Sequence, residues 1–198
     1  MDIKTESIID IIELQLNKTI NNITKDDLNK VSYLRISQSD LKGIREVDFN
    51  DLDYFSNIKE LSIEGCMIST LVLNKLTNLK QLSKLSFINC DFIDIPNDYF
   101  ENLKIEELVL INDLGLSNIH FSNINVLTIK NITFNFTLDN VNVLDISSYK
   151  NNTFDISKWH INELIINESI FNEDLKSLKC KITIKNDYDE IVKVIQND

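Results

Sequence analysis

One short pattern of apolar residues returns along most of the chain, and it limits the choice of fold more than any other feature. In a clear copy, Ile58, Leu61 and Ile63 stand at the first, fourth and sixth positions, and Cys66 stands at the ninth. The fourth positions of successive copies are Leu34, Leu61, Leu85, Leu108, Leu127, Leu144, Leu164 and Ile182. Seven ordered copies followed by a degraded last one predict a repeat architecture.

The spacing within a copy indicates how the copy folds. Side chains alternate along a strand, so the fourth and sixth residues point inward and the variable residues beside them point outward. One copy cannot bury its apolar face alone, whereas stacked copies cover one another and join their strands in a parallel sheet. The chain turns inward at the ninth position, where a side chain is needed to satisfy buried backbone groups.

The pattern resembles the leucine-rich repeat consensus, L-x-x-L-x-L-x-x-N/C-x-L, over residues 31–184. This resemblance implies an α/β solenoid: a leucine-rich-repeat horseshoe with a parallel concave β-sheet and short helices or turns on the convex side. The chain is most similar to bacterial, internalin-like repeats that have a helical N-terminal cap, but it shows no export signal. We therefore expect one structural domain with a cap at 1–30, about seven or eight repeats at 31–185, and a C-terminal cap at 186–198.

The distance along the chain between copies shortens towards the C-terminus. Successive fourth positions are separated by 27, 24, 23, 19, 17, 20 and 18 residues. The early intervals leave room for a helical turn on the convex side, at 51–58 and at 96–103. The later intervals are too short for a helix, so we expect extended or tightly turned chain there and a flatter solenoid.

Both ends of the repeat region carry candidate caps. Residues 5–16 have apolar side chains at helical spacing (Ile8, Ile9, Ile12 and Leu16), which predicts an amphipathic helix. Residues 24–28 form a variant of the capping box and predict a second, short helix. At the other end, 188–195 is interpreted as a short helix that covers the last repeat, so we expect the module to be closed at both ends.

Residues able to carry chemistry are few and scattered, so we expect no enzyme, no cofactor and no metal site. His120 and His160 lie in different repeats, where surface or turn roles suffice. Cys66 and Cys90 share the ninth position, which indicates a buried turn; a redox or metal pair is the alternative. Cys180 is expected to be buried. Trp159 is expected to fill the core behind the sheet, with an exposed contact residue as the alternative.

The net charge of −11 at pH 7 restricts the class of partner. It disfavours nucleic acid and anionic membrane surfaces, which need a basic face, and it permits a basic protein partner. Three cysteines without a paired spacing favour a reducing compartment, and the first residues lack the features of a signal peptide. We therefore expect a cytoplasmic monomer that binds a protein.

The outward strand positions on the predicted concave face contain the candidate binding residues. An aliphatic patch, formed by Ile88, Val109, Ile111, Val126 and Val143, interrupts an otherwise polar face. Acidic Glu60, Glu64 and Glu107 flank it, which suits a partner with a basic rim. The complete candidate set is Tyr33, Arg35, Glu60, Glu64, Lys84, Ile88, Glu107, Val109, Ile111, Val126 and Val143. The alternative is that β-branched residues stand here because they favour strands.

Two functions from different classes follow. The first is a non-catalytic protein–protein interaction module that holds its partner on the concave face. The alternative is an acidic inhibitor or immunity protein that neutralises a basic toxin or enzyme. A third interpretation, the substrate-recognition part of a larger enzyme, is disfavoured by the apparent caps.

Overall fold

The computed structural model describes residues 3–38, 48–132, 135–148 and 159–197. Its strands are β1 Tyr33–Ser37, β2 Glu60–Glu64, β3 Met67–Ser69, β4 Lys84–Ile88, β5 Asp91–Ile93, β6 Glu107–Ile111, β7 Ile119–Ser122, β8 Val126–Lys130, β9 Phe136–Asp139, β10 Val143–Ser148, β11 Glu163–Asn167, β12 Lys181–Lys185 and β13 Ile191–Gln196. Its α-helices are α1 Glu6–Leu16, α2 Lys25–Leu28 and α3 Thr70–Leu76. The chain is thus an α/β protein that is richer in strands than in helices.

A nine-stranded, mostly parallel sheet organises the fold. Its strand order is β1-β2-β4-β6-β8-β10-β11-β12-β13, so the sheet is open, with β1 and β13 at its edges. The register aligns the fourth-position residues, from Leu34 beside Leu61 to Leu164 beside Ile182. All of these side chains are at most 1% exposed, because each is covered by its neighbours on both sides. The predicted large parallel sheet is confirmed.

A left-handed residue follows the strand in four consecutive copies of the pattern. Gly65, Asn89, Asn112 and Asn131 all stand at the eighth position and have φ between 54° and 64°. Glycine adopts this conformation without strain, and asparagine is among the other residues that tolerate it best. The backbone N–H of each donates to a carbonyl in the following strand, for example Asn89 to Ile111 at 2.8 Å. The hydrogen-bond ladder of the sheet therefore continues into the turn.

The return segments, by which we mean the chain between consecutive strands of the large sheet, change in character along the molecule. The helical turns predicted at 51–58 and 96–103 correspond to short 3-10 helices at Phe49–Tyr54 and Tyr99–Asn102. Later return segments contain the extended strands β7 and β9, which pair in parallel, as the shorter intervals predicted. After β11 the chain makes two 3-10 turns, Glu168–Ile170 and Glu173–Ser177. Most of the segment between β10 and β11 lies outside the described residues.

A row of aromatic side chains runs through the core between the sheet and the return segments. It passes through Phe87, Phe92, Phe100, Phe121, Phe136 and Trp159, with successive ring centroids 5.0–6.4 Å apart. Most of the pairs are edge-to-face, the arrangement favoured by the ring quadrupoles, and Trp159 stacks on Phe136. Trp159 is 8% exposed, so its predicted place in the core is confirmed.

The N-terminal helix packs against the edge strand β1. The predicted helix at 5–16 is confirmed as α1, and its Ile8 and Ile12 side chains are fully buried. The Gln15 side chain donates to the Tyr33 carbonyl at 2.6 Å, which satisfies an edge-strand acceptor. The buried Asp51 carboxylate accepts hydrogen bonds from the backbone N–H groups of Lys4 and Thr5, so the first return segment also holds the start of α1.

The predicted capping box at the start of α2 is also confirmed. The Thr24 hydroxyl accepts from the Asp27 backbone N–H, and the Asp27 carboxylate accepts from the Thr24 N–H. Hydrogen bonds from Lys18 and Thr24 hold the pKa of Asp27 below its usual range. Because this pKa is lower in the folded state, the stabilisation is present at neutral pH and is lost as pH falls through the folded pKa.

We expect Thr24→Ala to lower the free energy of unfolding by about 1 kcal/mol, because the first turn of α2 loses its cap. Chemical denaturation measures the change. Thr19→Ala is the matched control, since Thr19 makes no side-chain cap bond to the backbone of the 3-10 turn Ile20–Asn22 and accepts instead an exposed hydrogen bond from the Asn22 side chain at 3.0 Å. Equal losses in the two variants would contradict the importance of the capping box.

At the C-terminus the prediction of a helix over 188–195 is wrong. The chain forms a hairpin, in which β13 pairs antiparallel with β12. The Asn186 side chain accepts from the N–H groups of Tyr188 and Glu190, which fixes the turn, and the β-branched run that follows favours a strand. Lys193 stands opposite the buried Ile184, on the core side, where a charge discourages further strands from pairing with this edge.

Candidate functional site

The predicted binding residues all lie on one face of the large sheet, which we call the sheet face. They occupy the third, fifth and seventh positions of β1, β2, β4, β6, β8 and β10, opposite the buried fourth and sixth positions. Tyr33, Arg35 and Glu60 are exposed, and the other candidates are half-buried. The neighbouring strands therefore shield part of each side chain and leave a continuous surface.

The aliphatic patch is formed by two cross-strand pairs and one residue between them. Ile88 is paired with Ile111 at one end of the strands, and Val126 is paired with Val143 at the other. Val109 lies on β6 between these pairs and is diagonal to Val126. Such neighbours lie about 5–8 Å apart on a sheet, close enough for their side chains to touch.

Ile165 extends the patch and was not among the predicted residues. It is half-buried on β11 and is the register partner of Asp145, diagonal to Val143. The sequence does indicate that Ile165 belongs to the patch, because Ile165 stands at the fifth position of its repeat, as Val109 does. The patch therefore reaches across β4, β6, β8, β10 and β11.

The carboxylates around the patch are largely paired within the sheet face. Glu64 accepts two hydrogen bonds from the Arg35 guanidinium, at 2.9 and 2.6 Å. Glu107 lies 2.9 Å from the Lys84 ammonium group. Among the described residues, only Glu60 of the three predicted acidic residues lacks an ion pair. The sheet face is consequently less acidic than its carboxylates alone indicated.

The same pairing continues towards the C-terminal edge. Glu163 accepts from Lys181 at 2.8 Å and from Thr183 at 2.9 Å. The hydrogen bond from Lys181 is the main reason that the pKa of Glu163 is lowered. This part of the face is therefore a set of matched charges, and the aliphatic patch between the two ion-paired regions is its distinctive feature.

The ninth-position cysteines lie in buried turns, as predicted. The Cys66 thiol donates to the Glu64 carbonyl at 3.2 Å, and the Cys90 thiol donates to the Ile63 carbonyl at 3.3 Å. Burial raises the thiol pKa of Cys66 to about 11 and that of Cys90 to about 12. Metal binding and redox chemistry need the thiolate, so these values favour the structural interpretation.

A third ninth-position residue, Asp113, was missed by the sequence reasoning. Its carboxylate is 2% exposed and accepts from the backbone N–H groups of Cys90 at 2.7 Å and Ile111 at 3.0 Å. Burial raises its pKa to about 7, although both hydrogen bonds act in the opposite direction. The signal was its equivalence to Cys66 and Cys90 in the repeat. This carboxylate joins two adjacent turns and does not face the sheet-face patch.

Neither histidine forms part of a metal cluster in the described part of the chain. His120 Nδ1 lies 2.7 Å from the Thr137 hydroxyl, and its Nε2 lies 3.7 Å from Glu101. His160 is exposed at the rim of a cleft of about 750 Å³, which also exposes atoms of Trp159, Asn162 and Cys180. Burial raises the pKa of the Cys180 thiol, which disfavours its use as a nucleophile beside His160.

Comparisons with known proteins found no relative of this chain. No protein-family model, no curated protein and no solved structure matches the chain. Among the described residues, no helix is both long and apolar enough to cross a membrane.

Proposed function

We propose that the chain is a leucine-rich-repeat solenoid that acts as a non-catalytic, cytoplasmic protein-binding module. The consensus spacing and the alignment of every fourth-position residue across the parallel strands support this architecture. A stack of strands fixed by such a register is a rigid scaffold, and a rigid surface loses little conformational entropy when it binds. The protein works by presenting a surface.

The aliphatic patch is the observation that carries the proposal. Exposed aliphatic side chains that are contiguous on a folded surface mark contact sites, because their burial against a partner is favourable. The ion pairs on both sides of the patch supply a polar rim, which is the usual arrangement of a protein interface. We therefore place the centre of the interface at Val109 and the two pairs that flank it.

A dedicated inhibitor of a basic toxin or enzyme is the second candidate, and the net charge of −11 favours it. Opposite charge accelerates association with a basic target. The two functions differ in the partners that the chain captures. A single tightly bound partner that is toxic when expressed alone supports the inhibitor, whereas several weak partners support a scaffold.

We expect Ile88→Asp and Ile111→Asp to weaken binding of a captured and purified partner by roughly tenfold or more each, because a charge would be buried against an apolar surface. Isothermal titration calorimetry measures the dissociation constants. Val192→Asp is the control, since Val192 is a half-exposed aliphatic residue on β13, away from the patch. Circular dichroism verifies folding; folded patch variants that bind the partner as the wild type does would refute the proposal.

A further inference from the structure

A second exposed surface lies on the short strands that follow the turns of the large sheet. The short strands β3 and β5 pair in parallel, and Asp91 forms a further parallel bridge to Leu114. The register brings Met67, Asp91 and Leu114, the tenth residues of three successive copies, into one row. The buried Ile68 and Phe92 point into the core from these strands, so this row points outward.

This row and its neighbours expose an unusual amount of apolar surface. Met67 is 63% exposed and Leu114 is 67% exposed. Leu71, in the first turn of α3 directly after β3, is 79% exposed, and Ile93 on β5 is 38% exposed. We call Met67, Leu71, Ile93 and Leu114 the return-side patch. None of these side chains is needed to close the core, because Ile68, Leu73 and Phe92 do so.

The charge around the return-side patch is mainly acidic, and the cation of α3, Lys75, is already paired with Asp53 at 2.8 Å. The segment 91–103, which includes β5 and the chain after it, contains three aspartates and one glutamate but no lysine or arginine. Asp91, Asp94 and Asp98 are exposed there, and within the described ranges none of them forms an ion pair. On the sheet face, by contrast, most carboxylates are paired. Three carboxylates without an ion pair among the described residues therefore lie in and just after β5, which carries part of the return-side patch.

The backbone that carries the patch is held firmly. The Leu114 N–H donates to the Cys90 carbonyl at 2.8 Å, and the Leu114 carbonyl accepts from the Phe92 N–H at 2.9 Å. The next residue, Gly115, has φ +79°, and a Cβ there would lie 1.9 Å from the Phe92 carbonyl oxygen. Only glycine permits this close approach. The exposed side chains consequently extend from a fixed support.

We propose that the return-side patch binds a basic amphipathic segment of another protein. The apolar face of the segment covers Met67, Leu71 and Leu114, and its lysine or arginine side chains pair with Asp91, Asp94 and Asp98. Methionine suits such contacts because its flexible thioether adapts to different apolar shapes. A second copy of this chain would bring a like-charged surface into contact, so the charge favours a basic partner. This surface is distinct from the sheet face.

The test uses the whole chain and a fluorescent peptide of leucine and lysine, with leucines at helical spacing; a leucine–glutamate peptide of the same pattern is the negative probe. We expect the lysine peptide to bind and the glutamate peptide not to bind. A triple variant, Asp91→Asn, Asp94→Asn and Asp98→Asn, should raise the dissociation constant roughly tenfold or more, as loss of several charge contacts does. Fluorescence anisotropy at low and moderate salt measures it.

A matched triple variant, Asp10→Asn, Asp26→Asn and Asp174→Asn, removes the same charge from exposed positions elsewhere. Equal effects of the two triple variants would mean general charge attraction only and would overturn the inference. Leu71→Ser tests the apolar contact against Leu14→Ser, since Leu14 is also on a helix and 83% exposed. If Leu71→Ser weakens peptide binding and Leu14→Ser does not, the apolar contact at the return-side patch is supported. If both variants weaken peptide binding equally, the inference is overturned.

Two further readouts separate this inference from the sheet-face proposal and from self-association. Ile88→Asp should leave peptide binding unchanged; if it abolishes binding while the return-side variants do not, the peptide occupies the sheet face and the inference fails. Sedimentation of the chain alone should show no dimer that depends on the return-side patch. A dimer that the Leu71→Ser substitution dissociates would instead assign the patch to contact with a second copy of the chain.

Discussion

Replacing Phe100 by alanine is expected to lower the free energy of unfolding by about 3–5 kcal/mol, as truncation of a fully buried phenylalanine does. Phe100 is fully buried and lies at the middle of the aromatic row, with ring centroids 5.4 Å from Phe121 and 6.4 Å from Phe92. Alanine would remove these contacts and leave a cavity between the sheet and a 3-10 turn, and rigid strands on one side limit how far the site can collapse.

Denaturant unfolding monitored by circular dichroism measures this loss. Phe100→Leu should cost less, because leucine fills much of the same volume. Tyr54→Ala is the control for removal of an aromatic ring, since Tyr54 is 38% exposed and outside the row. A loss below about 1 kcal/mol for Phe100→Ala would show that the row does not stabilise the core.

The second large effect concerns pH and the buried Asp113 carboxyl group. Burial raises its pKa to about 7 in the folded chain, whereas an unfolded aspartate titrates near the ordinary value of about 4. Between these two values the folded state binds more protons than the unfolded state, so stability falls as pH rises. The contribution of Asp113 to the free energy of unfolding is fully present below about pH 4 and is lost as pH rises through about 7. This loss amounts to up to about 4 kcal/mol.

Asp113→Asn isolates this contribution, because asparagine has a similar shape and does not titrate. The variant should be less stable than the wild type at pH 4.5, since one of the two N–H groups, from Cys90 or Ile111, loses its acceptor. The difference in unfolding free energy between the wild type and the variant should narrow or reverse by pH 8. Unfolding free energies at several pH values measure it, with the exposed Asp98→Asn as control. A pH-independent difference would contradict the raised pKa.

The parallel sheet could be predicted because its determinants are local and repeated. Each copy specifies its own strand through two apolar residues, and neighbouring copies bury all of these residues when they pair in the register that aligns them. Helix α1 and the Thr24 capping box could be predicted for a related reason, because the apolar spacing and the capping residues that determine them are also local. Along the sheet face, alternation alone indicated that Val109 and Ile111 point outward.

The features that could not be predicted depend on which copies become neighbours. The pairing of Glu64 with Arg35 and of Glu107 with Lys84 requires the register between strands, which changes the sheet face from an acidic rim to matched charges. The aromatic row has the same origin, because Phe87 lies on β4 and the other members come from return segments of unequal length. No local pattern indicates that Phe100 and Phe121 would meet.

Two errors of interpretation have local causes. The chain at 188–195 was interpreted as a short helix that covers the last repeat, but the Asn186 turn and the β-branched run that follows determine a hairpin. The second error is an omission, since asparagine at the eighth position was given no role in the backbone conformation. In three of the four left-handed turns after the strands, asparagine occupies the position that requires positive φ. Its recurrence at the eighth position was a readable signal.

The left-handed turn makes the length of a return segment independent of the register of the sheet. Strand and turn are fixed by hydrogen bonds to the next copy, so spacings from 17 to 27 residues fit one ladder without displacing a strand. Residues can therefore be inserted or deleted on one side of the core while the other side keeps its geometry. The sheet face and the return-side patch can then diverge separately, and a lineage could exchange one partner while retaining the other.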